Sequence, residues 1–165
     1  MIDLKFPDAL IENIRQALIA NNETVAVAES VSAGLLQTAV STATEASKFF
    51  EGGITAYSIE QKCVHLNVDK GHATATNAVS DRVASEMALG VSKLFRTNWG
   101  IGVTGYATPV PESEFKLFAF IAISHNNHVV FSKKLEAGKH EPLSIQLFYV
   151  DEVLATFSKI LSDHP

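Results

Sequence analysis

In the stretch "VAVAESVSAGLLQ", residues 25–37, an apolar run stops at Glu29-Ser30 and small residues lead into what reads as a helix. A serine in that position is a nucleophile once a base takes its proton. The helix that follows brings backbone N–H groups and a positive dipole end toward a developing oxyanion. The same position also suits a plain helix N-cap, for which either Ser30 or Ser32 would serve. A candidate base stands at Lys62. A lysine accepts a proton only when neutral, which needs burial or a cationic neighbour, and the nearby apolar Val64 and Leu66 offer the first. Tyr57, five residues earlier at the end of "GGITAYS", is placed to hydrogen-bond that lysine or a substrate. A third apolar run, "WGIGVTG", ends at Thr104-Gly105.

These three polar ends meet only if the runs are neighbouring parallel strands, and the flanking segments predict that. "PDALIENIRQALIANN" reads as a helix with Leu10, Ile14 and Leu18 on one face, Pro7 in its first turn and Asn21-Asn22 at its stop. "SAGLLQTAVSTA" reads as a second helix and "ASKFFE" as a short helical turn. Ser58 followed by Gln61 forms a capping box that starts a helix at 59 and puts Lys62 one turn inside it. Ser80 caps "DRVASEMALGVSKLF", with Asp81 in the first turn and an inner face of Val83, Met87, Val91 and Leu94. "FKLFAFIAIS" and "HVVFSKKLEA" form a hairpin about an Asn-Asn turn, flanked by His125 and His128 facing water. A last helix carries the row Leu143, Leu147, Val150, Leu154, Phe157, Leu161, widened by Ile145, Tyr149, Val153 and Ile160, broad enough to suit a subunit contact. Strands alternating with helices, then a hairpin, predict an α/β fold: a mainly parallel, mixed sheet covered on both faces. Ligands of such sheets bind beyond the carboxyl ends of the strands.

Composition narrows the function. The 165 residues, 47% apolar and 19% charged, fit one domain over 1–165. A net charge of −5 with only three arginines, Arg15, Arg82 and Arg96, disfavours nucleic acid as a partner. No apolar stretch is long enough for a membrane span and the N-terminal segment lacks an apolar signal core, so a cytoplasmic protein with no membrane partner is expected. Cys63 is the single cysteine, read as a core residue, with no disulfide framework and no cysteine pair for zinc. His65 and His72 lack metal-ligand spacing, so no metal and no cofactor are expected. "TGYATPVPES" has some character of a phosphate nest but lacks the Gly-Lys-Ser/Thr end of a P-loop.

The segments "AESVSAGLLQ", "FFEGGITAYSIEQKCVHLNV", "NAVSDRVASEMALGV" and "GIGVTGYATP" resemble, in order and spacing over nearly the whole chain, the C-terminal domain family of the competence/damage-inducible protein CinA. That family includes stand-alone nicotinamide mononucleotide deamidases. The resemblance implies a three-layer α/β/α sandwich, a homo-oligomer, and hydrolysis of a carboxamide to a carboxylate and ammonia. It implies Ser30 as nucleophile, Lys62 as base and Tyr57 as their neighbour, with a small nucleotide-like substrate. Ser32, Ala33, Gly34, Thr104, Gly105 and His140 fall on the substrate side, and the N–H groups around Ala33 and Gly34 on the oxyanion. The family's Glu-Ser-Cys-Thr-Gly-Gly stands here as Glu29-Ser30-Val31-Ser32-Ala33-Gly34. Its glycine-rich loop is replaced at 106–112 by two prolines and a glutamate, and its Gly-Asp-Arg by Gly138-Lys139-His140, without the arginine. These departures leave two other expectations: the same chemistry on another small amide, or a catalytically silent nucleotide-binding or assembly module.

Overall fold

The chain at 25–29 is extended and buried on both faces because the sheet around it is covered on both sides. Residues 3–164 are described by the structure, a computed structural model. Strand β1 (Val25–Glu29) lies between β2 (Phe50–Thr55) and β3 (Trp99–Gly105), parallel to both, and all five of its residues are buried. The sheet continues through β4 (Phe118–His125) to β5 (His128–Glu136) in the order β2-β1-β3-β4-β5. Both of those further pairings are antiparallel, so β4 alone runs against the other four strands. The Asn126-Asn127 turn joining them has positive φ at both residues (48° and 67°), the backbone that asparagine tolerates and that matches the twist of a hairpin. Register places Glu29 beside Thr55 on one side and Val103 on the other. The carboxyl ends of β1, β2 and β3 therefore share one rim.

Helices α1 (Asp8–Asn21), α2 (Leu35–Ser41) and α6 (Pro142–Asp163) cover the face that carries Val25, Val27, Ile101 and Val103. Helices α3 (Ile59–Leu66), α4 (Lys70–Ala75) and α5 (Asp81–Phe95) cover the face of Ala26 and Ala28. The result is the α/β/α sandwich with a mixed sheet. The second face is built from small residues so that α5 can lie close: a Cβ at Gly100 or Gly102 would run into the Ala88 or Ala84 carbonyl. No helix among the described residues is long and apolar enough to cross a membrane.

Several sequence expectations need correction. Helix α4 was not expected; its signal is Asp69, whose carboxylate accepts from the His72 N–H at 2.8 Å as an N-cap. "ASKFFE" divides into a 3-10 turn (Ala46–Lys48) and the first residues of β2. Leu94 is not on the inner face of α5 but 51% exposed; the last residue of the helix to pack against the core on that side is Phe95. Val64 is likewise exposed, leaving Leu66 as the apolar neighbour of Lys62. Leu10, Leu143 and Leu147 are half-buried, and so is Cys63. His125 does not face water: it stacks on Trp99 at 3.9 Å and meets Glu23 at 2.8 Å, while His128 is exposed.

Candidate active site

Neither Ser30 nor Ser32 caps helix α2. The N-cap position is Gly34, in the left-handed region (φ 99°) and without a side-chain cap. The orphan N–H groups of the helix go instead to Glu29, at the end of β1. Its carboxylate accepts from the Leu36 N–H (2.7 Å), the Gln37 N–H (2.9 Å), the Gln37 side-chain amide (2.9 Å) and the Ser32 hydroxyl (2.7 Å). Glu29 is fully buried. Charge-assisted hydrogen bonds and the positive end of the helix are what let a carboxylate sit there. With capping assigned to Glu29 and Ser32 bonded to it, the Ser30 hydroxyl is left to other partners.

Its partner is Lys62. The backbone N–H of Ser30 donates to the Val103 carbonyl (3.1 Å), which holds the turn against β3. The side-chain oxygen lies 2.9 Å from Lys62 Nζ, and that amine also donates to the Tyr57 carbonyl at 3.0 Å. Lys62 reaches there from α3, whose start is fixed by Ser58 Oγ accepting from the Gln61 N–H at 3.2 Å. Packing then buries the lysine. Gly90 of α5 lets α3 approach so closely that a Cβ there would collide with the Leu66 backbone, and Lys62 is 2% exposed. Burial disfavours the ammonium form and pulls its pKa from 10.5 down to about 8, against a smaller opposing effect of Cys63. No carboxylate touches the amine among the described residues, which leaves desolvation in control.

The pair opens into a cavity of about 620 Å³ at the shared rim, a size ordinary for small-molecule sites. Ser30, Tyr57, Lys62, Thr104 and Gly105 line it. Tyr57 is 73% exposed, and its carbonyl, rather than its phenol, meets the lysine. Thr104 uses its hydroxyl to donate to the Ala78 carbonyl (2.7 Å), securing the left-handed Asn77-Ala78 turn on the cavity wall. Gly105 has no room for a side chain against Ala119. Because the Tyr106 N–H pairs with Phe118 of β4, the Gly105 N–H one residue earlier points the other way, to the side where β1 has ended at Glu29.

Other residues assigned to the substrate side from sequence do not line the cavity. Ser32 is turned inward onto Glu29. Ala33, at φ 49°, spends its N–H on the Ser30 carbonyl (3.1 Å), and Gly34 completes the turn. These residues shape the turn instead of forming the wall. His140 is exposed outside the cavity, ahead of α6. Sequence reading marked the 106–112 loop as altered without giving Tyr106 or Glu112 a role, and missed Asn77 and Gln146; all four are on the wall. Gln146, a polar residue within the apolar stripe of α6, had the one visible signal. Its amide donates to the Val31 carbonyl at 2.8 Å, and Tyr149 one turn on donates to the Tyr106 carbonyl at 2.8 Å. Helix α6 thereby ties down both the serine turn and the loop after β3.

A serine beside a buried lysine that no carboxylate neutralises among the described residues is a geometry in which acyl transfer can be carried out. The family comparison agrees with the fold. The model of the CinA C-terminal domain matches residues 7–161. A CinA-like protein of Prochlorococcus marinus is 32% identical over 157 residues; the match takes in 93% of this chain but only 37% of that protein's length. The protein MG115 homolog of Mycoplasma pneumoniae is 36% identical over 152 residues, covering 91% of this chain and 96% of that protein. The crystal structure of the competence damage-inducible protein A from Klebsiella pneumoniae superposes with a TM-score of 0.90 over 96% of this chain and 98% of that one; at 24% identity this speaks for the fold alone. The chain belongs to the CinA C-terminal domain family.

Proposed function

We propose that this chain is an amidohydrolase that converts the carboxamide of a nicotinamide-type compound to a carboxylate and ammonia. The single observation that carries the reading is the 2.9 Å contact between Ser30 Oγ and a Lys62 whose burial lowers its pKa to about 8. At neutral pH roughly a tenth of such lysines are neutral, orders of magnitude more than at the ordinary value.

Neutral Lys62 takes the Ser30 proton while its remaining N–H bond to the Tyr57 carbonyl fixes its direction. The Ser30 oxygen attacks the carboxamide carbon, and the oxyanion forms beside the Gly105 N–H, with the start of α3 on the same wall. The Lys62 ammonium then returns the proton to the departing nitrogen, and ammonia leaves an acyl ester on Ser30. Water, deprotonated by neutral Lys62, attacks that ester. The carboxylic acid is released, Ser30 regains its proton, and the sum is amide plus water to acid plus ammonia.

Ammonia release from nicotinamide mononucleotide and nicotinamide riboside tests the reading. Wild-type chain should release ammonia from at least one, and Ser30→Ala should reduce that by 1,000-fold or more, about the loss of an activated nucleophile. Equal release by the two forms of the protein, or none from either, overturns it.

A further inference from the structure

Resting on the hydrolase reading, we infer that the cavity selects a cationic carboxamide without a phosphate group, with Glu112 as the residue that sets this preference. The charge of the wall carries the argument. Among the described residues, Lys62 and Glu112 are the only charged side chains lining the cavity. Lys62 is buried and committed to Ser30 and the Tyr57 carbonyl, so it offers nothing to a remote anion. Glu112 is exposed, on the short turn at Pro111–Ser113 in the loop after β3.

A phosphate monoester needs basic side chains or free N–H groups to replace its water. None of the three arginines lines the cavity: Arg15 pairs with Glu12 and Glu45, Arg82 with Glu86 and Asp69, and Arg96 ends α5 at a distance from it. Lys139 belongs to a separate hollow beside Phe115 and Lys134. Two helix starts do border the cavity, at Ser58-Ile59 and at Pro142, and each already has its own acid. Glu60 stands in the first turn of α3, Glu141 is the N-cap residue of α6, and Pro142 has no N–H to give. A phosphate here meets Glu112 without a counter-charge.

A cationic ring meets the opposite situation. Tyr57 and Tyr106 present aromatic surface on the same wall, and the Asn77 amide donates to the Tyr106 hydroxyl at 3.1 Å, holding that ring in place. Aromatic faces and a carboxylate are what recognise a delocalised cation. A pyridinium ring whose carboxamide points to Ser30 satisfies both, and a sugar without phosphate leaves Glu112 with no repulsive neighbour.

The test separates charge preference from chemistry. Binding of nicotinamide riboside and of nicotinamide mononucleotide to Ser30→Ala protein is measured by calorimetry, with and without Glu112→Lys; ammonia release is measured for both compounds on protein that retains Ser30. The riboside is expected to bind at least 10-fold more tightly than the mononucleotide, and Glu112→Lys to shrink that ratio to near one or invert it. A mononucleotide preference in the presence of Glu112, a ratio indifferent to Glu112→Lys, or binding of neither compound overturns the inference. The expected binding ratio with no ammonia from either compound supports the charge preference and removes the hydrolase reading alone.

Discussion

Lys62 Nζ and Ser30 Oγ lie 2.9 Å apart although 32 residues separate them in the chain. The contact joins the end of β1 to helix α3 on one face of the sheet, and no carboxylate touches either partner among the described residues. On the proposed reading, nucleophile and base are thus delivered by different elements, and packing is what gives the lysine a neutral fraction able to accept a proton near neutral pH. That combination makes the chemistry sensitive to pH.

With neutral Lys62 as the active form, kcat/KM should rise with pH along a limb of slope one and level off above about pH 8. Lys62→Arg keeps the positive charge but loses the accessible neutral form, and should leave no rising limb at all. A flat profile for the wild-type protein between pH 6 and 9 would contradict the assignment of Lys62 as base.

The same burial should cost stability. The folded lysine releases its proton near pH 8 and the unfolded one near 10.5. Between those values the unfolded chain holds more protons, so stability rises with pH across the window, and the cost of the buried ammonium is present in full below it. Lys62→Met should therefore be inactive yet more stable at pH 7, by about 1–3 kcal/mol once the hydrogen bonds lost by Ser30 and the Tyr57 carbonyl are allowed for. Denaturant unfolding at pH 7 and pH 10 checks both the sign and its disappearance at the higher value.

Glu29 should be as important as the pair it supports without touching substrate. Glu29→Ala strips acceptors from two backbone N–H groups, the Gln37 amide and the Ser32 hydroxyl, and should destabilise by about 2–4 kcal/mol. Glu29→Gln retains one oxygen and turns an NH2 group toward donors, so it should fall between. In either variant kcat should drop more than KM changes, because the turn that presents Ser30 loosens while the cavity wall stays.

Helix α6 offers a milder version of the same test. Gln146→Leu frees the Val31 carbonyl and Tyr149→Phe frees that of Tyr106. Each should cost about 1–2 kcal/mol. Gln146→Leu should lower kcat several-fold, whereas Tyr149→Phe should act chiefly on KM through the 106–112 loop. Steady-state kinetics with thermal melting of both variants checks the division.

Gly102→Ala tests the close approach of α5. A methyl there meets the Ala84 carbonyl, so the helix must lift off the sheet, and a loss of about 3 kcal/mol or more in denaturant unfolding is expected.

Much of this framework was legible in the residues. The apolar runs at 25–29 and 99–105, the capping serines Ser58 and Ser80 and the Asn126-Asn127 turn are local signals, and each stands where its chemistry requires. Contacts set by tertiary packing were not legible. No local pattern distinguishes Glu29 as the cap of a helix that begins six residues later, or places Gln146 on Val31, 115 residues away. The resemblance places Ser32, Ala33 and Gly34 on the substrate side, but the Ser32 hydroxyl goes to Glu29 and the Ala33 N–H to the Ser30 carbonyl, and none of the three lines the cavity. The glutamate of the 106–112 loop stands out as a departure from the family pattern, but only the folded loop shows that Glu112 lines the cavity.

The two layers over the sheet are unequal. The α1, α2 and α6 side is a large apolar core, whereas α3 is an eight-residue helix held by Leu66, the half-buried Ile59 and Cys63, and a desolvated lysine. Ser30 hangs from β1, anchored in the sheet, and Lys62 from the thinly held α3. On warming, α3 should detach while the sheet is still intact, so turnover should fade several degrees below the melting of the far-ultraviolet signal. Cooling from that interval should restore it without a refolding delay, making the small helix a thermal fuse for the reaction.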